Sequence, residues 1–264
     1  MIIAQISDTH IAPPGQLTCA VAPMAQALTR VVAFLNQMRP RVDLTLLSGD
    51  VTHAGTTAEA EHALEILMDL DMPFRIVPGN HDDREVLAKV FGPDVCPMTP
   101  QGTVDHVFDA DPIRIIALDT LAPGRPGGKL APAQLDWLRF RLDEAPARPT
   151  LLVCHHPPLR IGVPETDEDG FEGAEKLADI VAQHPNIQRI LCGHVHLHTT
   201  TRWCGTLVTT APSIGMQLTL DLTRQSESGF WLSDPAFLLH HWTPDHLLVT
   251  HLIQLTDKRG PFAF

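Results

Sequence analysis

The sequence predicts an α/β fold with a β-rich C-terminal elaboration. Three observations carry that prediction. Strand-length apolar runs alternate with helical patterns through the amino-terminal half, the alternation continues to Cys192, and from Thr206 onward strand-like segments follow one another with few helical signals.

Taken in order, Ile2–Ile6 is the first apolar run, and residues 22–38 follow as a helix with Leu28, Val31, Val32 and Leu35 on one stripe. Residues 42–47 form the second strand. A helix over 57–70 is announced by Thr56 and Glu59, a pair whose side chains satisfy free backbone N–H groups reciprocally, and its packed face carries Ala60, Leu64, Leu67 and Met68. Residues 74–77 complete a βαβαβ unit. Further apolar runs at 113–118, 150–154 and Ile187–Cys192 are separated by the helical patterns Leu135/Leu138/Leu142 and Leu177/Ile180/Val181. Pro123, Gly124, Pro126, Gly127 and Gly128 mark 121–130 as a loop, and 160–173 reads as an acidic, glycine-containing loop carrying Glu165, Asp167, Glu168 and Asp169. C-terminal strands are expected at Thr206–Thr210, 216–222, 237–241 and 247–252.

A chain of 264 residues, 44% hydrophobic, can build one large core, and residues 1–264 are read as a single domain. Lys plus Arg number 19 against 31 Asp plus Glu, a net charge of −12 that disfavours nucleic-acid polymers and anionic membrane surfaces as partners. A phosphate substrate then needs a local positive centre, which metal ions supply without changing the overall balance. Asp8 interrupts the first apolar run too early for a signal peptide or a span, so a cytoplasmic location is expected. Cys19, Cys96, Cys154, Cys192 and Cys204 are scattered and lack C-x-x-C spacing, which predicts buried free thiols rather than disulfides or a zinc–thiolate site.

Five polar clusters fall where an apolar run ends: Asp8-Thr9-His10, Gly49-Asp50, Gly79-Asn80-His81-Asp82, His155-His156 and Gly193-His194-Val195-His196. Open α/β sheets place ligand sites at such edges. Singly, each cluster reads as a turn, a helix cap or a packed histidine. Together they gather carboxylates and imidazoles that would be costly to desolvate without a cation. Oxygen and imidazole donors without thiolate suit Mn, Fe, Co, Ni or Zn. In an extended segment Asp-x-His and His-x-His put both side chains on one face, so each pair can reach one ion or two adjacent ones.

In order and spacing these blocks resemble the five-block signature of the calcineurin-like metallophosphoesterases, over about residues 2–212. Ile6-Ser7-Asp8-Thr9-His10, Val77-Pro78-Gly79-Asn80-His81-Asp82-Asp83 and His155-His156-Pro157-Pro158 are most similar to bacterial glycerophosphodiesterases and class III cyclic nucleotide phosphodiesterases. The resemblance implies a four-layer αββα sandwich. It implies two metal ions about 3.5–4 Å apart, one at Asp8, His10 and His196, the other at Asn80, His155 and His194, with Asp50 bridging. It implies hydrolysis of a small phosphodiester, a cyclic nucleotide or a glycerophosphodiester, by in-line attack of a metal-bound hydroxide, with His81 assisting at the phosphate or the leaving oxygen. His156 is then a neighbour of the site; Asp82 and Asp83 either orient imidazoles or cap a helix. His53, His62, His106, His184 and His198 are read as surface or supporting residues.

Two rivals share these motifs: a phosphomonoesterase or broad phosphoesterase, and a non-catalytic scaffold of the same fold. A scaffold does not need a complete ligand set, and here every ligand position is filled. Residues 213–242, with Met216, Phe230, Trp231, Phe237 and Trp242, are too apolar for a free surface; core strands and a segment that caps the site or makes homo-oligomer contacts are the alternatives.

Overall fold

In the computed structural model, which describes residues 1–223, 225, 227–256 and 262, the first third folds as β1 (Ile2–Ile6), α1 (Met24–Gln37), β2 (Leu44–Leu47), α2 (Thr57–Leu67), β3 (Phe74–Ile76) and α3 (Arg84–Phe91). β1, β2 and β3 pair in parallel, as helical crossovers permit. α1 buries Leu28, Val31, Val32 and Leu35 as expected. Thr56 and Glu59 form the expected capping box at α2. That helix is shorter than expected: it buries Ala60, Ala63 and Leu67 and leaves Met68 67% exposed, because one further residue rotates the side chain about 100° off the stripe. α3 escaped the pattern reading, being only eight residues long; Asp83 caps it by accepting from Val86 N at 3.0 Å.

The middle of the chain adds β4 (His106–Ala110), β5 (Ile113–Ala117), β6 (Gly128–Lys129), α4 (Pro132–Asp143), β7 (Thr150–Val153), α5 (Pro164–Asp169), β8 (Phe171–Glu172), α6 (Ala174–Gln183) and β9 (Ile187–Cys192). The remainder is β10 (Thr199–Trp203), β11 (Thr206–Thr210), β12 (Met216–Leu218), β13 (Phe230–Leu232), β14 (Ala236–Trp242) and β15 (Leu248–Gln254). The segment expected to be an acidic loop therefore contains the short helix α5, and the strand expected over 216–222 stops at Leu218.

Two large sheets result, ordered β15-β14-β1-β2-β3 and β10-β11-β9-β7-β5-β4, together with the two-stranded pairs β12-β13 and β6-β8. Strand alternation sorts their side chains into three apolar layers. Ile3, Leu44, Leu46, Ile115, Leu151, Val153 and Leu191 pack between the sheets. Ile6, Leu47 and Ile76 face outward and pack with residues of α1, α2 and α3, among them Leu28, Leu67 and Leu87. On the opposite side Ile116, Leu152 and Ile190 pack with Leu135 and Leu138 of α4 and Leu177 and Ile180 of α6. This is the four-layer αββα order implied by the resemblance.

Not everything between the sheets is apolar. Gln5 on β1 donates to Ser48 Oγ and to Cys192 O, both at 2.9 Å, and its Oε1 accepts from His240 Nε2 at 3.0 Å. Thr250 Oγ1 completes the line, 2.8 Å from His240 Nδ1, and Arg189 donates to the same hydroxyl. Satisfied in this way, the buried groups add a directional tie between sheets that hydrophobic contact alone lacks. Cys96, Cys154 and Cys192 are buried free thiols; Cys19 is exposed and Cys204 half-buried, contrary to expectation, because both occupy tight-turn positions with φ of 49°. No helix among the described residues is long and apolar enough to cross a membrane.

Burial, and secondarily the Arg189 charge, pushes the His240 imidazole down to about 3. The unfolded chain, with an ordinary histidine near 6.5, therefore binds the extra proton first, and stability present above that value is lost as pH falls toward about 3. Urea unfolding between about pH 7 and pH 4 should fall more steeply for the parent than for His240→Gln, by up to about 1.4 kcal/mol per pH unit. Equal slopes would show that His240 contributes nothing to the acid sensitivity.

Candidate metal centre

All five polar clusters lie just beyond the C-terminal ends of parallel strands: Asp8 and His10 after β1, Asp50 after β2, Asn80 and His81 after β3, His155 after β7, and His194 and His196 after β9. The chain reaches these positions through strained backbone. Asp8 (φ 51°), His10 (41°), Asp50 (50°), His194 (70°) and His196 (57°) all adopt the left-handed region, which costs an L-residue roughly 1 kcal/mol or more. Such conformations persist where surrounding structure over-determines them, and here they turn side chains inward at the edge of the two sheets.

Three glycines clear the space. A Cβ at Gly49 would lie 2.3 Å from His155 Nδ1, one at Gly79 would lie 2.2 Å from Asp50 Oδ1, and one at Gly193 would lie 2.1 Å from Ser7 Oγ. The glycine that precedes Asp50, Asn80 and His194 is thus a packing requirement of the site itself.

The donors fall into two sets. Asp8, His10, Asp50 and His196 form one, with His10 Nε2 3.0 Å from His196 Nε2, 3.5 Å from Asp50 Oδ2, and His196 Nε2 3.5 Å from Asp8 Oδ1. In the other, Asn80 Oδ1 lies 3.2 Å from His155 Nε2 and 3.1 Å from His194 Nδ1, and His155 Nε2 is 3.4 Å from Asp50 Oδ2. Ligands about 2.1 Å from a common ion are about 3.0–3.4 Å from one another, so both sets have the spacing of coordination shells. Asp50 Oδ2 belongs to both, while its Oδ1 accepts from His81 N at 2.9 Å.

Hydrogen bonding at the outer ring nitrogens makes the inner ones acceptors. His196 Nδ1 donates to Met216 O at 2.7 Å, which leaves the Nε2 lone pair facing His10 and Asp8. His155 Nδ1 likewise donates to Ser48 O at 2.7 Å. Once the protons on His10 Nε2 and His155 Nε2 are displaced, lone pairs and carboxylate oxygens converge here, and a divalent cation satisfies them together.

The charges are strongly perturbed. Burial pushes the His10 imidazole well below its ordinary value, and nearby imidazoles add to that against the opposing Asp50 charge. For Asp50 burial acts upward, but His155, His10 and His81 outweigh it and hold the carboxyl well below the carboxylate range. For His155 burial acts downward, and the Asp50 and Asp8 carboxylates override it, pushing the imidazole up to about 10.

His156 is a neighbour, as expected: Nε2 donates to Pro126 O at 3.0 Å and Nδ1 accepts from Thr120 Oγ1 at 2.8 Å, so both nitrogens are committed. Asp82 orients no imidazole. Its carboxylate accepts from Val51 N, Thr52 N and Gly79 N at 2.8–3.1 Å, tying the Asp50 turn to the Asn80 turn, and burial followed by the Asp50 charge raises it to about 6. His53 lies closer to the centre than a surface reading allows: its ring stacks on His81 at 5.8 Å and its carbonyl accepts from His81 Nδ1 at 2.8 Å. His62, His106, His184 and His198 bond backbone carbonyls. His106 is on β4, and His184 also bonds Asp143 Oδ1 at 3.1 Å. Leu218 of β12 and Thr166 of α5, which the sequence reading did not single out, border the cleft beside Met216 and Phe230 of the segment expected either to cap the site or to form core strands or oligomer contacts. Asp169, in the segment expected to be an acidic loop, reaches His194 Nε2 at 3.3 Å.

The chain matches the family model described as calcineurin-like phosphoesterase over residues 1–198. It is 35% identical over 265 residues to a probable glycerophosphodiester phosphodiesterase, GpdQ, of Arcobacter nitrofigilis, covering 100% of this chain and 97% of that one. It is 28% identical over 259 residues to the 3′,5′-cyclic adenosine monophosphate phosphodiesterase CpdA of Escherichia coli K12, covering 97% of this chain and 90% of that one. Among solved structures it resembles a dimetal phosphatase from Danio rerio with a TM-score of 0.67 at 16% identity, covering 97% of each chain.

Because His155 holds its proton up to about pH 10 in the metal-free protein, an ion entering that set must displace it. Mn²⁺ titration calorimetry in buffers of different ionisation enthalpy should show proton release, with affinity weakening by up to about tenfold per pH unit as pH falls. Binding without proton release would contradict this assignment of His155.

Proposed function

The chain belongs to the calcineurin-like phosphoesterase family, and on that premise we propose that it hydrolyses small phosphodiesters with two metal ions. Asp8, His10 and His196 would hold one ion and Asn80, His155 and His194 the other, with Asp50 shared. The observation that carries this reading is the single oxygen Asp50 Oδ2, 3.5 Å from His10 Nε2 and 3.4 Å from His155 Nε2, which serves both donor sets. When bound, such ions neutralise phosphoryl oxygens and make water acidic enough to attack at neutral pH; Mn, Fe, Zn and Co all suit these donors.

The chain's own residues supply position and protons. His53 O accepts from His81 Nδ1–H, so when the ring is doubly protonated its Nε2–H is left to donate to a phosphoryl oxygen or to the departing ester oxygen. The cleft has a volume of about 340 Å³, with Met216, Leu218 and Phe230 among its lining residues and Asp169 also at its border. Among its described lining residues none is Lys or Arg, so a second phosphate group would find no side-chain cation there. That disfavours a substrate with a second phosphate group; among single-phosphate esters, the relatives named for glycerophosphodiesters and cyclic adenosine monophosphate support a diester.

We take residues 1–264 as one domain in which 213–242 has two roles. Within that segment Phe237 and Trp242 are core residues of β14, while Met216 and Phe230 face the cleft and support a capping role; residues 224 and 226 lie outside the described ones. Trp231 and Leu232 are 69% and 53% exposed, and Leu252 on edge strand β15 is 50% exposed, which supports a homo-oligomer contact. Buried reduced thiols support a cytoplasmic location.

Metal-depleted protein reconstituted with Mn²⁺ should cleave bis(p-nitrophenyl) phosphate in preference to p-nitrophenyl phosphate. His81→Ala should lower turnover by about a hundredfold with both ions retained, and Asp50→Ala should lose more, together with bound metal. Preference for the monoester would overturn the substrate class, and absence of turnover with both ions bound would favour a scaffold.

A further inference from the structure

Resting on the two-ion reading above, we propose that Asp169 is a positioning residue that fixes the ring tautomer of His194 and so keeps the Asn80/His155/His194 set able to hold an ion. His194 stands between two oxygen atoms: Asn80 Oδ1, 3.1 Å from Nδ1, and Asp169 Oδ2, 3.3 Å from Nε2. A neutral imidazole carries one N–H and one lone pair, and either placement would satisfy one of these oxygens. With the proton on Nδ1 the ring would donate to Asn80 and close the donor set. The Asp169 carboxylate, which only accepts, draws the proton to Nε2 and turns the Nδ1 lone pair toward Asn80 Oδ1 and the space shared with His155.

The fold holds Asp169 in place from both directions. It is the last residue of α5, and the start of that helix is fixed by Asp167, whose carboxylate accepts from Ile161 N at 2.7 Å and Gly162 N at 3.0 Å. Beyond it, Gly128 N donates to Gly170 O at 3.0 Å, and β6 pairs with β8. Gly127 lies so close beneath that a Cβ there would meet Asp169 O at 2.0 Å. The acidic helix is thereby pinned against the loop over 121–130, and its last carboxylate is delivered to a ring only 8% exposed.

Two measurements test this. In metal-free protein with ¹⁵N-labelled histidine, long-range ¹H–¹⁵N spectra should show His194 protonated on Nε2, and an Nδ1–H tautomer in the parent would overturn the proposal. In Mn²⁺ titrations followed by electron paramagnetic resonance, the parent should give the spectrum of an exchange-coupled ion pair. Asp169→Ala should bind the first ion as the parent does and the second about 10–100-fold more weakly. Asp169→Asn retains an oxygen that accepts from Nε2–H, and it should stay within about threefold of the parent. A coupled pair formed by Asp169→Ala at parental affinity would overturn the role of Asp169 alone, whereas a parent that never binds a second ion would overturn the two-ion reading and this inference with it.

Discussion

Asp50 Oδ2 lies within 3.5 Å of imidazole nitrogens from two different sheets, His10 after β1 and His155 after β7, and the architecture of the edge that carries the donors follows from keeping that oxygen there. A buried carboxylate is expensive to desolvate unless charge and hydrogen bonds compensate. Asp50 receives both, through the His81 N–H on Oδ1 and the converging imidazoles on Oδ2. The two sheets must therefore meet at a fixed offset, and Gln5, which donates across the sheets to Cys192 O and within its own sheet to Ser48 Oγ, helps to set it. Ser48 belongs to both systems, since its carbonyl accepts from His155 Nδ1.

The site is stabilised by geometry that would be unfavourable elsewhere. Asp8, His10, Asp50, His194 and His196 adopt left-handed backbone, and Gly49, Gly79 and Gly193 leave no room for a Cβ. Asp82 bonds backbone N–H groups of both the Asp50 and Asn80 turns, so these two turns move as one. Rigid turns suit the proposed dinuclear centre, because a small displacement of one donor would change both proposed shells through the oxygen they share.

Much of this was legible in the chain. The interior strands read as apolar runs, and the ligand candidates stood out because each closes such a run with a residue type that is costly to bury. What escaped has a physical reason. β4 and β10 are edge strands whose half-exposed residues, such as Thr199–Trp203, break the apolar pattern. α5 buries no residue, so hydrophobic periodicity carries no trace of it. The acidic loop could be read as bordering the site, but Asp169 could not be told from its acidic neighbours, since its contact with His194, 25 positions away, depends on folding of the intervening segment. His53 was read as a surface or supporting residue, and choosing between the two required knowing where its turn meets that of His81, on which its ring stacks.

Anomalous diffraction from crystals of the Mn²⁺-loaded protein tests the central claim most directly. The account predicts two peaks about 3.5–4 Å apart, one among Asp8, His10 and His196, the other among Asn80, His155 and His194, with Asp50 Oδ2 between them. A single peak, or two peaks that do not share Asp50, would contradict it.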